Sequence, residues 1–264
     1  MIKENNCVSE ITTSCFRLNS QDALIESRCS DRYEILFFDK GSGKCIVEGV
    51  EYKVYQHSIL FIKPFSYSCM DVNGDELSGY AIQFDDYLLP DEVKKLLQDI
   101  SSKEDEHSKF YSSFAMPEHV FLTVEKLSAA NEIDESVRQI YSQSLLTEII
   151  SLLSISRGEE KNYNEDELGA RVARYLNRNI DKNISLDKLA GRFFVSKYYL
   201  CRAFKKYSGV SVHAYINQKR ILYAKQLIES GVTASVAAYK VGYGDYSAFY
   251  RAYKKIVGKS PVRE

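Results

Sequence analysis

The chain has 264 residues, 45% of them hydrophobic and 27% charged, enough for two domains with a core each and ordinary for a water-soluble protein. No apolar run nears the roughly 18 residues of a membrane span, and the start, M-I-K-E-N-N-C-V-S-E, lacks the apolar centre of a signal peptide, so a cytoplasmic chain with no membrane partner is expected. The net charge of −1 hides a division: residues 1–164 hold 16 Lys and Arg against 28 Asp and Glu, residues 165–264 hold 19 against 8, and a basic back behind an acidic front points to nucleic-acid binding.

Residues 33–84 read as short strands broken by turns. Y-E-I-L-F-F (33–38) precedes D-K-G-S-G, then come K-C-I-V-E (44–48), a turn at Gly49 and residues 51–55. I-L-F-I-K (59–63), Pro64, Y-S-C-M-D (67–71), the turn N-G-D and L-S-G-Y-A-I-Q-F (77–84) complete the set, with 15–18 and 23–27 as candidate edge strands. Such spacing predicts an antiparallel sandwich or barrel. With E-I-x-x-x-x-x-G-x-G from Glu34, it resembles the jelly-roll, cupin-like effector domain found at the front of many bacterial regulators.

A closed β-domain of this kind can hold an organic ligand between its sheets. Arg32, Glu34, Tyr67 and Tyr80 are the candidate ligand-binding residues, though each reads more readily as an outward charge or a packed ring. The His-x-His pattern of metal-dependent cupins is absent, and only His57 falls among the strands. Histidines 57, 107, 119 and 213 form no cluster, and cysteines 7, 15, 29, 45, 69 and 201 form no C-x-x-C pair. Free thiols are therefore expected, with no metal, no cofactor and no catalytic set, which argues against an enzyme.

After Pro90 the period changes. D-E-V-K-K-L-L-Q-D-I (91–100) predicts a short amphipathic helix, K-E-D-E-H-S-K (103–109) a charged loop, and Pro117 opens a helix containing V-F-L-T-V-E-K-L (120–127). A longer helix spans about 135–156, with Val137, Ile140, Tyr141, Leu145, Ile149, Leu152 and Leu153 at helical spacing and Leu146, Ile150 and Ile155 widening its apolar face. So wide a face must pack on two sides. Residues 117–156 are thus expected to pair two chains as a homodimer, the alternative being that both faces pack within one subunit. The polar run 157–167 reads as a linker, leaving domains of 1–156 and 168–264.

The second domain breaks into helices at about 168–179, 186–194 behind Ser185, 197–208 behind Ser196, 212–229, 234–241 and 245–257. One motif occurs twice: R-A-F-K-K-Y-S-G-V-S from Arg202 and R-A-Y-K-K-I-V-G-K-S from Arg251, offset by 49 residues. Leu200, Ala203, Phe204 and Tyr207 share a core face, while Tyr198, Cys201, Arg202 and Lys205 form a second stripe. The sixth helix repeats this with Phe249, Ala252, Tyr253 and Ile256 inside and Ser247, Tyr250, Arg251 and Lys254 outside. A helix fits the major groove, where Arg reads guanine and Lys meets phosphate.

S-L-D-K-L-A (185–190), S-K-Y-Y-L-C-R-A-F-K-K-Y-S-G (196–209), Y-I-N-Q-K-R-I-L-Y-A-K-Q-L-I (215–228) and V-G-Y-G-D-Y-S-A-F-Y-R-A-Y-K-K-I-V-G-K-S-P (241–261) closely resemble the DNA-binding domain of the AraC/XylS family of bacterial transcription regulators. The resemblance implies two helix-turn-helix units joined by a long helix, with 197–206 and 246–255 reading successive major grooves of double-stranded DNA. The DNA-binding candidates are Ser196, Lys197, Tyr198, Tyr199, Cys201, Arg202, Lys205 and Lys206, with Tyr246, Ser247, Tyr250, Arg251, Lys254 and Lys255; Tyr199 is equally readable as closing the core. The chain departs from the family at Ala234 and Ala237, which predicts an underpacked fifth helix, at Cys201, and in its short tail after Pro261.

The expected fold is α+β with two domains: a cupin-like β-domain with helices, then an all-α domain with two helix-turn-helix units. The function implied is a sequence-specific activator under a small-molecule effector, in contact with RNA polymerase. A second reading gives the first domain dimerisation or protein contact without a ligand, and a third makes it a cupin-type enzyme.

Overall fold

The computed structural model describes residues 11–19, 27–100, 107–117, 119–159 and 167–261. It is an α+β chain of two compact units, Met1–Ile25 with Arg32–Asn162, and Glu26–Asp31 with Tyr163–Glu264. Its strands are β1 (Thr12–Asn19), the two-residue β2 (Arg28–Cys29), β3 (Tyr33–Val47), β4 (Val50–Tyr55), β5 (Ile59–Ile62), β6 (Tyr67–Phe84) and β7 (Ser108–Tyr111). The main path of the sheet runs β1-β6-β3-β5-β7, with β4 paired on β3, and each of these pairs is antiparallel.

Alternation along the strands builds two cores. Ile35 and Phe37 of β3, Ile59 and Phe61 of β5, and Ile82 and Phe84 of β6 share one face. The helices α1 (Asp91–Ile100), α2 (His119–Ala129) and α3 (Glu135–Ile155) cover that face with Leu97, Val120, Val124, Leu146 and Ile149 among others. The alternate residues Leu36, Phe38, Leu60 and Ile62 form the other core with Cys45, Val47, Tyr52, Val54 and Met70. Since both halves of β3 feed that second core, the sheet folds over on itself, as the sequence led one to expect.

Two of the expected turns are not turns. D-K-G-S-G lies inside the 15-residue β3, and N-G-D inside the 18-residue β6. The β3–β6 ladder absorbs them as register shifts between Phe38 and Lys40 and between Gly41 and Gly43. Gly41 sits at φ +84°, and a Cβ there would lie 1.9 Å from the Glu76 carbonyl oxygen, so the bulge requires glycine. Strand β7 arises where a charged loop was expected, because S-K-F-Y is too short to show alternation; it pairs with β5 from Ile59↔Tyr111 to Ile62↔Ser108. Of the candidate edge strand 23–27, all but Ser27 lies outside the described residues.

In α3, Leu145, Leu146, Ile149, Ile150 and Leu153 are buried. Their transfer contributes roughly 7–15 kcal/mol in gross terms, opposed by the entropy of ordering the helix. The apolar stripe does not continue inward at both ends, as its spacing suggested: Val137, Ile140 and Ile155 are 54%, 67% and 77% exposed.

The second unit contains α4 (Leu168–Arg178), α5 (Leu186–Phe193), α6 (Lys197–Ser208), α7 (Val212–Glu229), α8 (Ala234–Lys240) and α9 (Tyr246–Val257). Helix α7 serves both halves. Near its start Tyr215 meets Phe204 of α6 edge-on at 5.1 Å, and further along Ile221, Ala224 and Ile228 join Ala237, Ala238, Val241, Phe249 and Tyr253. The small Ala237 of α8, expected to leave a gap, is fully buried in the same cluster as the rings of Phe249 and Tyr253.

Midway along α7, Arg220 ties the two halves together. Its guanidinium donates to the carbonyls of Ile180 (2.7 Å) and Lys182 (2.6 Å) after α4 and of Gly242 (3.3 Å) after α8. Residues Glu26–Asp31 are part of this unit: Ser27 Oγ donates to the Ser208 carbonyl at 2.8 Å, and Lys225 Nζ lies 2.7 Å from Asp31 Oδ2.

Candidate nucleic-acid interface

The duplicated motif folds into two helices with matching ends. The Ser196 hydroxyl accepts from the Tyr199 N–H (3.2 Å) at the start of α6, and the Asp245 carboxylate accepts from Ser247 and Ala248 (3.1 and 2.8 Å) at the start of α9. At the other end Gly209 and Gly258 close them in the left-handed conformation, donating to the Lys205 and Lys254 carbonyls. The repeated glycine is therefore a pair of equivalent caps. The repeated serine is not: Ser211 caps α7, whereas Ser260 hydrogen-bonds the Tyr250 hydroxyl at 3.2 Å.

Burial splits each helix in two. Leu200 and Phe204 on α6, and Phe249 and Tyr253 on α9, are buried, with Ala203, Tyr207, Ala252 and Ile256 half-buried beside them. Ser196, Lys197, Tyr198, Tyr199, Arg202, Lys205 and Lys206 are exposed, as are Tyr246, Ser247, Tyr250, Arg251, Lys254 and Lys255. Cys201 is half-buried, so its thiol offers less surface than its place in the stripe suggested. Tyr199 points outward, 56% exposed, and does not close the core.

The charges are arranged unevenly. Among the described residues, Arg202, Lys205, Lys206, Arg251, Lys254 and Lys255 make no ion pair, which leaves them available to phosphate. Lys197 is engaged: its Nζ lies 2.9 Å from Asp187 Oδ1, and that hydrogen bond and charge raise its pKa. The N-terminus of α6 is capped by a neutral hydroxyl, that of α9 by a carboxylate, so the two present different fields to an incoming phosphate. Behind α9, burial pushes the Tyr243 phenol up to about 12, with the Arg220 charge pulling the other way, and burial aided by Glu229 and Asp31 pushes Tyr253 to about 12.

The four candidate ligand residues are not brought together. Arg32 pairs with Asp85 (3.1 Å) and donates to the Thr12 hydroxyl (3.0 Å), and Glu34 accepts from Gln83 Nε2 (3.1 Å). Tyr67 is buried, its backbone N–H donating to Glu48 Oε1 at 3.1 Å. Tyr80 stands opposite Phe37 on the helix-covered face, away from Glu34, and lines a small pocket with Asp39, His57, Phe121 and Glu125. Among the described residues no three His, Cys, Asp or Glu side chains are grouped to hold a metal, and the described cysteines are free thiols. No helix among these residues is long and apolar enough to cross a membrane.

Comparison with known proteins bears on the helical unit first. A family described as a helix-turn-helix domain matches residues 189–263. YbfI of Bacillus subtilis, an uncharacterized HTH-type transcriptional regulator, is 26% identical over 82% of this chain and 78% of its own length. The HTH-type transcriptional activator RhaS of Mannheimia succiniciproducens is 24% identical over 86% of this chain and 84% of its own. LumQ of Photobacterium leiognathi, a probable transcriptional regulator, is 31% identical, over 35% of this chain and 38% of its own length. Among solved structures, ToxT from Vibrio cholerae aligns with a TM-score of 0.43 at 16% identity, covering 96% of this chain and 97% of that one.

Proposed function

We propose that this chain, a transcription regulator whose C-terminal domain is an AraC-type helix-turn-helix domain, is a dimeric activator that binds promoter DNA through α6 and α9 and responds to a small organic effector in its sheet domain. The observation that carries the DNA contact is the outward face repeated at a 49-residue offset, cationic on both helices and backed by paired aromatic cores. In this reading Arg202 and Arg251 meet guanine or phosphate, and Lys205, Lys206, Lys254 and Lys255 meet phosphate. Tyr198, Tyr199, Ser247 and Tyr250 face base edges and sugars, with Ser196, Lys197, Cys201 and Tyr246 at the margins. The exposed Leu122, Val137 and Ile140 on α2 and α3 support pairing of two chains there.

The test is a duplex selected by the purified protein from a random-sequence library, followed by footprinting. Arg202→Ala is expected to cost about 1–3 kcal/mol on that duplex; an unchanged footprint would remove α6 as a reading helix. A second reading, in which the sheet domain serves dimerisation alone, is favoured by the side chains that fill the fold of the sheet, Phe38, Tyr52, Leu60 and Phe110 among them. A thermal-shift screen of sugars, amino acids and fatty acids on the full chain separates the two: a raised Tm supports the effector, and no shift supports the second reading.

A further inference from the structure

One exposed aromatic side chain is used neither by the helix packing nor by the DNA face. Phe194 follows α5 at the turn of the first helix-turn-helix unit, 94% exposed, at φ +54° and ψ +43°. Its neighbour Phe193 has a structural task, meeting Tyr175 edge-on at 6.1 Å beneath the guanidinium of Arg171. Phe194 makes no such contact among the described residues.

The second unit shows what the turn needs. There the Gly242 N–H donates to Tyr239 O and the Tyr243 N–H to Ala238 O; in the first unit Phe194 donates to Gly191 O and Val195 to Ala190 O. The spacing of the bonds is the same, so Phe194 and Gly242 hold equivalent left-handed positions closing α5 and α8. The cap asks for glycine, and a β-carbon there is strained. Phe194 thus combines an unfavourable backbone with an unburied ring. Neither aids the fold, and Phe194 stands two residues before the Ser196 cap of α6 and four before the exposed Tyr198.

We infer that Phe194 is a specificity-determining residue: its ring extends the reading edge of α6 and packs on the 5-methyl group of a thymine in the bound site. Apolar contact with that methyl is the one base-edge feature of the major groove that a phenyl ring can read. The inference rests on the DNA-binding reading of α6, and it adds an apolar, salt-independent contact to a face otherwise built from cations and hydroxyls.

The experiment measures binding of wild type, Phe194→Gly, Phe194→Leu and Arg202→Ala, as full chains, to the selected duplex and to copies with each thymine replaced in turn by deoxyuridine. Phe194→Gly is expected to bind roughly fivefold to tenfold more weakly, with an unchanged salt slope and an apparent Tm equal to or above wild type; Phe194→Leu keeps part of the affinity. One or two deoxyuridine positions weaken the wild type by a similar factor and leave Phe194→Gly unaffected. The inference is overturned if Phe194→Gly binds like wild type, if it loses equally on both kinds of duplex, or if its Tm falls, which would make the ring a packing group. Arg202→Ala separates the two failures: if it too binds like wild type, the reading of α6 itself is wrong.

Discussion

Gly242 and Arg220 set the second helix-turn-helix unit against the first at the level of single atoms. Gly242 is at φ +84°, and a Cβ there would fall 2.2 Å from the Asp181 carbonyl oxygen. Gly242→Ala is expected to cost about 2–4 kcal/mol in denaturant unfolding, from backbone strain and the displaced loop together. Arg220→Lys is expected to cost about 2 kcal/mol, because an ammonium has no planar fork to serve three carbonyls at once. The phenols of the half-buried Tyr243 and the buried Tyr253 give a pH signature. Tyr243 and Tyr253 titrate near about 12 in the fold, whereas an unfolded tyrosine titrates near about 10. The folded state keeps these protons longer, so the stabilisation is complete below about pH 10 and is lost as pH rises toward about 12. Tyr253→Phe should flatten the fall of the denaturation midpoint across that window; an equally steep fall would contradict the assignment.

Among the elements, α6 and α9 differ most in their caps. The Asp245 carboxylate places a negative charge where α9 would meet the backbone of DNA, whereas Ser196 does not do so for α6. Asp245→Ser keeps a good cap, so stability should change by less than about 0.5 kcal/mol. Its DNA affinity should rise about threefold at low salt and return toward wild type at high salt; no gain at low salt would show that α9 does not approach phosphate. These helices were readable in the sequence because their ends carry side chains with one physical role: α7 begins and ends at the expected residues, 212–229, and Ser185 and Ser196 cap as their positions implied, while the Ser211 cap of α7 emerges only in the structure. The strands were less readable. Gly41, Gly43 and the N-G-D run carry the composition of a turn, and only pairing between distant halves of the chain turns them into bulges. Arg220 and Phe194 were missed for related reasons: carbonyl acceptors leave no mark in side-chain patterns, and the strain at Phe194 shows only once the backbone is known.

For the molecule as a whole, charge bears on binding to DNA, and strand pairing bears on where the first unit can be cut. Six cations on α6 and α9 have no ion-pair partner among the described residues. If five or six of them rest on phosphate, the slope of log affinity against log salt should be about −5 per subunit, and changing Lys205 and Lys254 together to Ala should make it shallower by about 2. A flat response would remove the electrostatic basis of binding. The bridge between Phe110 and Glu159, with the Glu159 N–H 2.7 Å from the Phe110 carbonyl oxygen, has a practical bearing. It covers part of the outer edge of β7, four residues beyond the end of α3. A fragment cut after residue 156 would lose that cover and present a bare edge to which other copies can add strands, so it should form aggregates. A fragment ending at Asn162 keeps the bridge and should remain monodisperse in light scattering. If so, the place to sever the sheet unit is set by one hydrogen bond on a sheet edge, beyond the end of α3.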